Sequence, residues 1–285
     1  MSNTIFTNVS EIEIRSKGVS EISNSQGEVI WRKTPLPEPY ALKFEVDKPS
    51  TIELYTSIGS VANAEYSFSK TGPWTRLYGN PIMIPKNVVY VRGNNPNGFN
   101  INGSNQIVVD PINSADKISV KVSGNILSLL GENITDIQGD GCFRELFEYT
   151  KITDASELIL ANNVTEDCYY RMFYDSMLEI PPELPATILK NACYYWMFSK
   201  SKITKTPVLH ANSIVTNAYR QMFENCANLS EVRCYATSLG GAMDTNKYRW
   251  LYGVAATGIF YKKRGVTWPS GANGIPTGWT VIEED

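Results

Sequence analysis

The sequence predicts an α+β protein: an N-terminal β-hairpin module and a small β-sandwich, followed by a short solenoid of stacked repeats. Three observations predict it. From residue 141 onward one apolar phrase recurs at a nearly fixed interval, residues 40–126 alternate apolar and polar side chains, and residues 1–33 alternate again before the Pro-rich stretch TPLPEP. Expected boundaries are therefore an N-terminal β-module (1–33), a linker (34–39), a β-sandwich domain (40–126) and a repeat domain with a C-terminal cap (127–285).

In the first zone, EIEI (11–14), GVSEI (18–22) and GEVIWRK (27–33) alternate around the turn sequence Asn24-Ser25-Gln26-Gly27. A module this short builds little core alone. Ile12, Ile14, Val29, Ile30 and Trp31 are thus expected to anchor on a partner chain or a symmetry mate. TPLPEP favours extended polyproline geometry and acts as a semi-rigid spacer. Beyond it, ALKFEVD (41–47), TIELYTS (51–57), AEYSFSK (64–70), NVVYVRG (87–93) and KISVKVSG (117–124) carry the period of two expected of half-buried strands. Gly-, Asn- and Pro-rich turns separate them, as in TGP (71–73) and RGNNPNG (92–98). The apolar run NILSLLG (125–131) is expected to start the cap of the repeats.

The repeat reads GCFRELF (141–147), DCYYRMF (167–173), ACYYWMF (192–198) and NAYRQMF (217–223), with NKYRWLY (246–252) as a degenerate fifth copy. The closing residues Phe147, Phe173, Phe198 and Phe223 are 26, 25 and 25 apart. A second column keeps the same period: Ile152, Leu178, Ile203 and Leu229, followed six residues later by Leu158, Leu184, Leu209 and Tyr235. Two columns with one period predict a solenoid, in which each unit buries its apolar face only against the next. Cys142, Cys168 and Cys193 share one slot with Ala218. A slot that takes Cys or Ala is a packing position, so these thiols join the Phe column in the expected core ladder. A catalytic thiol needs a base beside it and has no reason to recur. Within the phrase, Cys and the Met-Phe pair lie four and five positions apart, which predicts one side of a short helical turn. Tyr170, Arg171, Trp196 and Arg220 occupy its variable positions, and such residue types are favoured at interfaces. They are the candidate binding face.

Composition excludes several classes. A net charge of −3 and a pI of about 5.4 argue against nucleic acid, which requires a clustered Lys/Arg excess. No apolar run is long enough to cross a membrane as a helix. The first residues, MSNTIFTNVSEIEI, lack the basic-then-apolar order of a secretory signal. The five cysteines form no CxxC pair or Cys/His cluster, and no phosphate loop, dinucleotide-binding glycine set or GxSxG turn occurs, so no metal and no cofactor is expected. His210, the sole histidine, has no nucleophile or acid near it in sequence, and Asp140 between two glycines reads as a turn former. No enzymatic activity is expected.

The unit ELPATILKNACYYWMFSKSKITKTP (183–207) resembles the BspA-like (Treponema-type) leucine-rich repeat of gut Bacteroidales and their phages, so the solenoid is expected to be a leucine-rich-repeat domain. FENCANLSEVRCYAT (223–237), GVAATGIFYKK (253–263), Trp268-Pro269 and NGIPTGWTVIEED (273–285) resemble that family's final unit and cap. Ser176 and Ser201 stand where the family phrase has a second Cys. EYSFSKTGPWTRLY (65–78) resembles the hairpin that precedes such repeats. Residues 1–33 are similar to a β-module at the start of phage tail and appendage proteins, where it serves attachment or oligomerisation. These resemblances imply a non-enzymatic virion component, a tail fibre, head fibre or baseplate-associated protein made in the host cytoplasm. It would dock on other virion proteins or on itself through its N-terminus and contact a host surface protein or glycan through its repeats. The alternative they imply is a bacterial cell-surface adhesin or interaction protein.

Overall fold

The structure, a computed structural model, describes residues 21–23, 29–32, 41–56, 62–85, 87–101, 103–240 and 245–285. The chain divides into two compact units, Met1–Glu38 and Pro39–Asp285. In the first, β1 (Glu21–Ser23) and β2 (Val29–Arg32) pair antiparallel, with Ile22 opposite Trp31 and a register shift at Ile22/Ser23. Val29, Ile30 and Trp31 lie on β2; Ile12, Ile14, the turn sequence 24–27 and the linker 34–39 lie outside the described residues.

The second unit opens with β3 (Leu42–Val46), β4 (Ser50–Thr56), β5 (Ala64–Ser67), β6 (Thr75–Arg76), β7 (Ile82–Met83), β8 (Val88–Gly93), β9 (Asn105–Pro111) and β10 (Val120–Asn125). Alternation along β3, β4, β8 and β9 sends Leu42, Phe44, Ile52, Val89, Val91, Ile107 and Val109 inward, all buried. One sheet has the order β7-β4-β9. The other has the order β11-β10-β3-β8-β5-β6, where β11 (Ile152–Ile159) belongs to the first repeat. Its parallel pairing with β10 carries the sheet across residue 127 into the repeats, and buried residues from both sides belong to one core. The run NILSLLG forms a 3-10 turn, Ile126–Leu129, capped by the Asn125 side chain, which accepts the Leu127 N–H at 3.0 Å.

The α+β expectation is wrong. There is no α-helix among the described residues, and the protein is built of strands and turns. The recurring phrase is a chain of tight turns. In the second copy, Tyr170, Met172 and Tyr174 donate their N–H groups three residues back, to Asp167, Tyr169 and Arg171. The intervening N–H groups of Asp167, Tyr169, Arg171, Phe173 and Asp175 reach the carbonyls of Asn191, Cys193, Tyr195, Met197 and Ser199 in the next copy. An α-helix would instead bond every N–H four residues back within its own copy. The alternation requires a left-handed residue every fourth position: φ is +53° at Asp167, +54° at Arg171 and +52° at Asp175. The other copies repeat this at Ala192, Trp196 and Lys200, and at Asn217, Gln221 and Asn225. A turn period of four matches the same i, i+4 spacing as a helix, so the apolar pattern alone does not separate them.

Stacking aligns equivalent side chains into files. Phe147, Phe173, Phe198 and Phe223 are completely buried, with successive ring centroids 5.4, 5.8 and 5.6 Å apart. Phe143, Tyr169, Tyr194 and Tyr219 form a parallel buried file at 6.0, 5.9 and 6.3 Å. Both files end on Trp250, which stacks on Trp268 at 5.4 Å and seals the core. Inter-copy bonding places Leu251 in the Phe slot, because Phe223 N–H meets the Trp250 carbonyl; the fifth copy thus ends one residue earlier than its aromatic pattern implies. Ser176 is buried and donates to the Phe173 carbonyl at 2.8 Å, as Thr150 does to Phe147.

The second wall is made of extended segments bridged in parallel, Asp154 to Ile180, Lys205 to Glu231 and Leu209 to Cys234. Pro181, Pro182, Pro185 and Pro207 offer no N–H, which restricts these segments to isolated bridges. Ile152, Leu178, Ile203 and Leu229 are buried in register. The lower column continues from Leu209 to Cys234, the bridged and fully buried residue, and not to half-buried Tyr235. Parallel strands β12 (Glu231–Cys234), β13 (Ile259–Lys263) and β14 (Thr280–Glu284) complete the C-terminal end.

Phe198→Ala removes a ring from the middle of the file and is expected to cost ~3–5 kcal/mol in chemical denaturation; an unchanged midpoint would place the ring outside the core. At Asp175, φ +52°, a glycine substitution should be close to neutral, whereas Asp175→Val should cost ~1–3 kcal/mol. Equal midpoints for the two variants would contradict the left-handed geometry.

Candidate functional site

Successive residues of a turn point in different directions, so the phrase has a buried set and an outward set. Tyr169, Tyr194 and Tyr219 are buried, whereas their neighbours Tyr170, Tyr195 and Arg220 are half-exposed. One outward file reads Arg144, Tyr170, Tyr195, Arg220, Tyr248. The next, at the left-handed position, reads Glu145, Arg171, Trp196, Gln221, Arg249, all half-buried. The four residues singled out from the sequence sit together in these two files. Arg144 lies 5.3 Å from the Tyr170 ring, Tyr170 and Tyr195 meet edge-on at 5.4 Å, and Arg220 sits over both Tyr195 and Tyr248 at 5.4 and 5.2 Å. Trp196 stacks on Tyr195 at 4.4 Å.

The arginines fall into two classes. Arg171 donates from Nε to buried Glu148 at 2.9 Å, pairs with it again through Nη2, and covers the Tyr174 ring at 3.9 Å. Arg249 pairs with buried Glu224 at 2.6 Å in the equivalent place on the last copies. Glu224 also accepts from Trp196 Nε1 at 3.3 Å and Gln221 Nε2 at 2.5 Å. Burial pushes the Glu148 carboxyl up, and Arg171 pulls it back only in part. Arg171 and Arg249 are thus committed internally. By contrast, Arg144 and Arg220 have no carboxylate within ion-pair distance among the described residues; the Nε of each is buried without an acceptor, as is that of Arg249. Asp167 lies near enough to Arg144 for the guanidinium to favour its carboxylate, although burial dominates and raises it. Neither this wall nor the split between the arginines is legible without the register of the copies.

Each remaining sequence-singled residue has a plain place. Cys142, Cys168 and Cys193 are completely buried, and burial pushes the Cys142 and Cys193 thiols up to about 12 and Cys168 well above its ordinary value. Asp140 accepts the Glu166 N–H at 3.1 Å, linking two copies. His210 is exposed. Among the described residues, no group of three or more His, Cys, Asp or Glu is placed to hold a metal ion, and no helix is long and apolar enough to cross a membrane. Comparison of the chain with protein-family models, with curated proteins and with solved structures finds no match in any of the three.

The buried thiols have a pH consequence. Cys142, Cys193, Cys226 and Cys234 have folded values near 12, above the ordinary 9.0, so the fold favours the neutral form. That stability is complete below pH 9 and is lost as pH rises toward 12. The denaturation midpoint is expected to fall over this window, and a thiol reagent at neutral pH should label the unfolded chain but not the native one. Rapid labelling of the native chain would show the file to be open.

Proposed function

We propose that the protein is a non-enzymatic attachment component of a phage particle, an appendage of the tail, baseplate or head. Its N-terminal module docks it on other virion proteins or on a second copy, and its turn wall contacts a host surface molecule or a neighbouring subunit. The observation that carries this reading is the outward wall itself: half-exposed Tyr, Trp and Arg side chains in register, with Arg144 and Arg220 beyond ion-pair distance of any carboxylate among the described residues. Tyr, Trp and Arg are the residues most enriched at energetically dominant contact points. Left-handed backbone at non-glycine residues is tolerated only where the surrounding structure over-determines it, and it clusters at functional positions. Here it sets Arg171 and Trp196 on the wall. Several ring faces are already covered by guanidinium or neighbouring rings, which favours a protein surface rich in carboxylates and carbonyls over a stacked sugar. The likeness of residues 183–207 to BspA-like repeats, and of residues 1–33 to phage appendage modules, supports the same reading.

Two measurements test it. Mass spectrometry of purified particles is expected to find the polypeptide; consistent absence defeats the assignment, and its recovery on bacterial envelopes would favour the adhesin alternative. Arg144→Ala with Arg220→Ala is expected to weaken binding to host cells or subunit at least tenfold with an unchanged denaturation midpoint. Arg171→Ala, which strands Glu148, should instead lower the midpoint. Loss of binding only in variants that also unfold would refute a contact role for the wall.

A further inference from the structure

Away from the wall, β5, β8 and the segment following the 3-10 turn enclose a cleft of about 440 Å³. Its lining includes Asn63, Glu65, Arg92, Asn94, Ser128 and Glu132. Three features build its frame. Glu65 and Arg92 are directly opposed across the β5–β8 pair and form an ion pair at 2.9 Å. Gly93 brings two backbones together: a Cβ there would stand 2.3 Å from the Leu129 carbonyl and 2.6 Å from that of Asn63. The Asn95 side chain then staples the same segments, donating to Asn63 O at 2.8 Å and Leu129 O at 2.7 Å while accepting the Asn63 N–H at 2.8 Å. Ser128, only 9% exposed, also lines the cleft, and its hydroxyl is buried with no hydrogen-bond partner. That hydroxyl is shut off from the cleft, so its desolvation is uncompensated within the fold and only the rest of Ser128 faces the lumen.

We propose that this cleft binds a neutral saccharide residue through its hydroxyl groups. The lining mixes acceptors, the carboxylates of Glu65 and Glu132, with donors on Arg92 and the Asn63 and Asn94 amides. A sugar hydroxyl both donates and accepts, so a ring of hydroxyls satisfies such a mixture. Arg92 is already neutralised, by Glu65 and by Glu132 at 3.8 Å, and its plane rests 4.3 Å from the Trp74 ring. Two carboxylates against one guanidinium disfavour an anion. The lining named here contains no large apolar side chain, which disfavours a lipid or an aromatic ligand. Cleft and wall are separate surfaces, so this site does not depend on the wall being a contact face.

The test is saturation-transfer NMR on the full chain with glucose, galactose, mannose, fucose, rhamnose and N-acetylglucosamine, and with glucuronic acid as the charged control. At least one neutral sugar is expected to give transfer, and glucuronic acid none. Asn94→Ala and Glu132→Gln should each weaken that sugar about three- to tenfold. Ser128→Ala should leave the denaturation midpoint unchanged or raised, because its hydroxyl serves nothing inside the protein. Arg220→Ala should leave the sugar signal intact. No transfer from any neutral sugar, a preference for glucuronic acid, or binding that survives both cleft variants would each overturn the assignment.

Discussion

Half of the backbone N–H groups in each turn segment must be satisfied by the neighbouring copy, and most other features follow from that. Copies bonded this way stand one strand spacing apart, ~4.8 Å. At that distance equivalent side chains cannot avoid one another, so each inward slot becomes a file. Aromatic rings suit such files because they stack offset at about that separation, which accounts for two unbroken aromatic columns ending on Trp250. The Cys/Ala slot is explained by the same geometry: a file lacking room for a large side chain takes the smallest apolar ones.

This also explains which parts of the fold were legible in the sequence. The period, the Phe file and the aliphatic column are one-dimensional facts and can be read directly. The type of local structure is different, since Cys168 and Met172 share a side in a turn repeating every four residues just as in a helix. Signals against the helix did exist: Gly141, Asp167 and Asn217 are residue types that tolerate φ > 0, spaced by one and then two copies. They were outvoted by Arg171, Trp196 and Gln221, which do not favour it and adopt it anyway. The parallel pairing of β10 with β11 was hidden for a further reason: nothing local in KISVKVSG or ITDASELIL records which edge each strand joins. The cleft was illegible altogether, because Gly93, Asn95 and Ser128 are unremarkable until three segments converge on them.

The arginines illustrate the same dependence at the level of single residues. In sequence, Arg171 and Arg220 are both variable positions of one phrase. In the stack, the residue just after the closing Phe of a copy faces the middle slot of the next. Glu148 therefore meets Arg171, Tyr174 meets Trp196, and Glu224 meets Arg249. Arg220 occupies the preceding slot, where the file above and below supplies only tyrosine. Identity alone does not tell a structural arginine from a free one; the register does.

The backbone geometry and the wall are linked by cost. A non-glycine residue in the left-handed region gives up ~1–2 kcal/mol, and the copies carry it three times over. Glycine at every such slot would relieve that strain, yet it would strip the outward file of Glu145, Arg171, Trp196, Gln221 and Arg249 of its side chains. Gly141 and Gly253 occur only in the first and last copies, and the interior positions keep Arg171, Trp196 and Gln221. Part of the cost is offset by the pairs these residues make with one another, Arg171 with Glu148 and Trp196 with Glu224. Arg144 and Arg220 make no such ion pair and rest only on tyrosine rings. Their retention on an otherwise self-paired wall is the feature that folding alone does not account for.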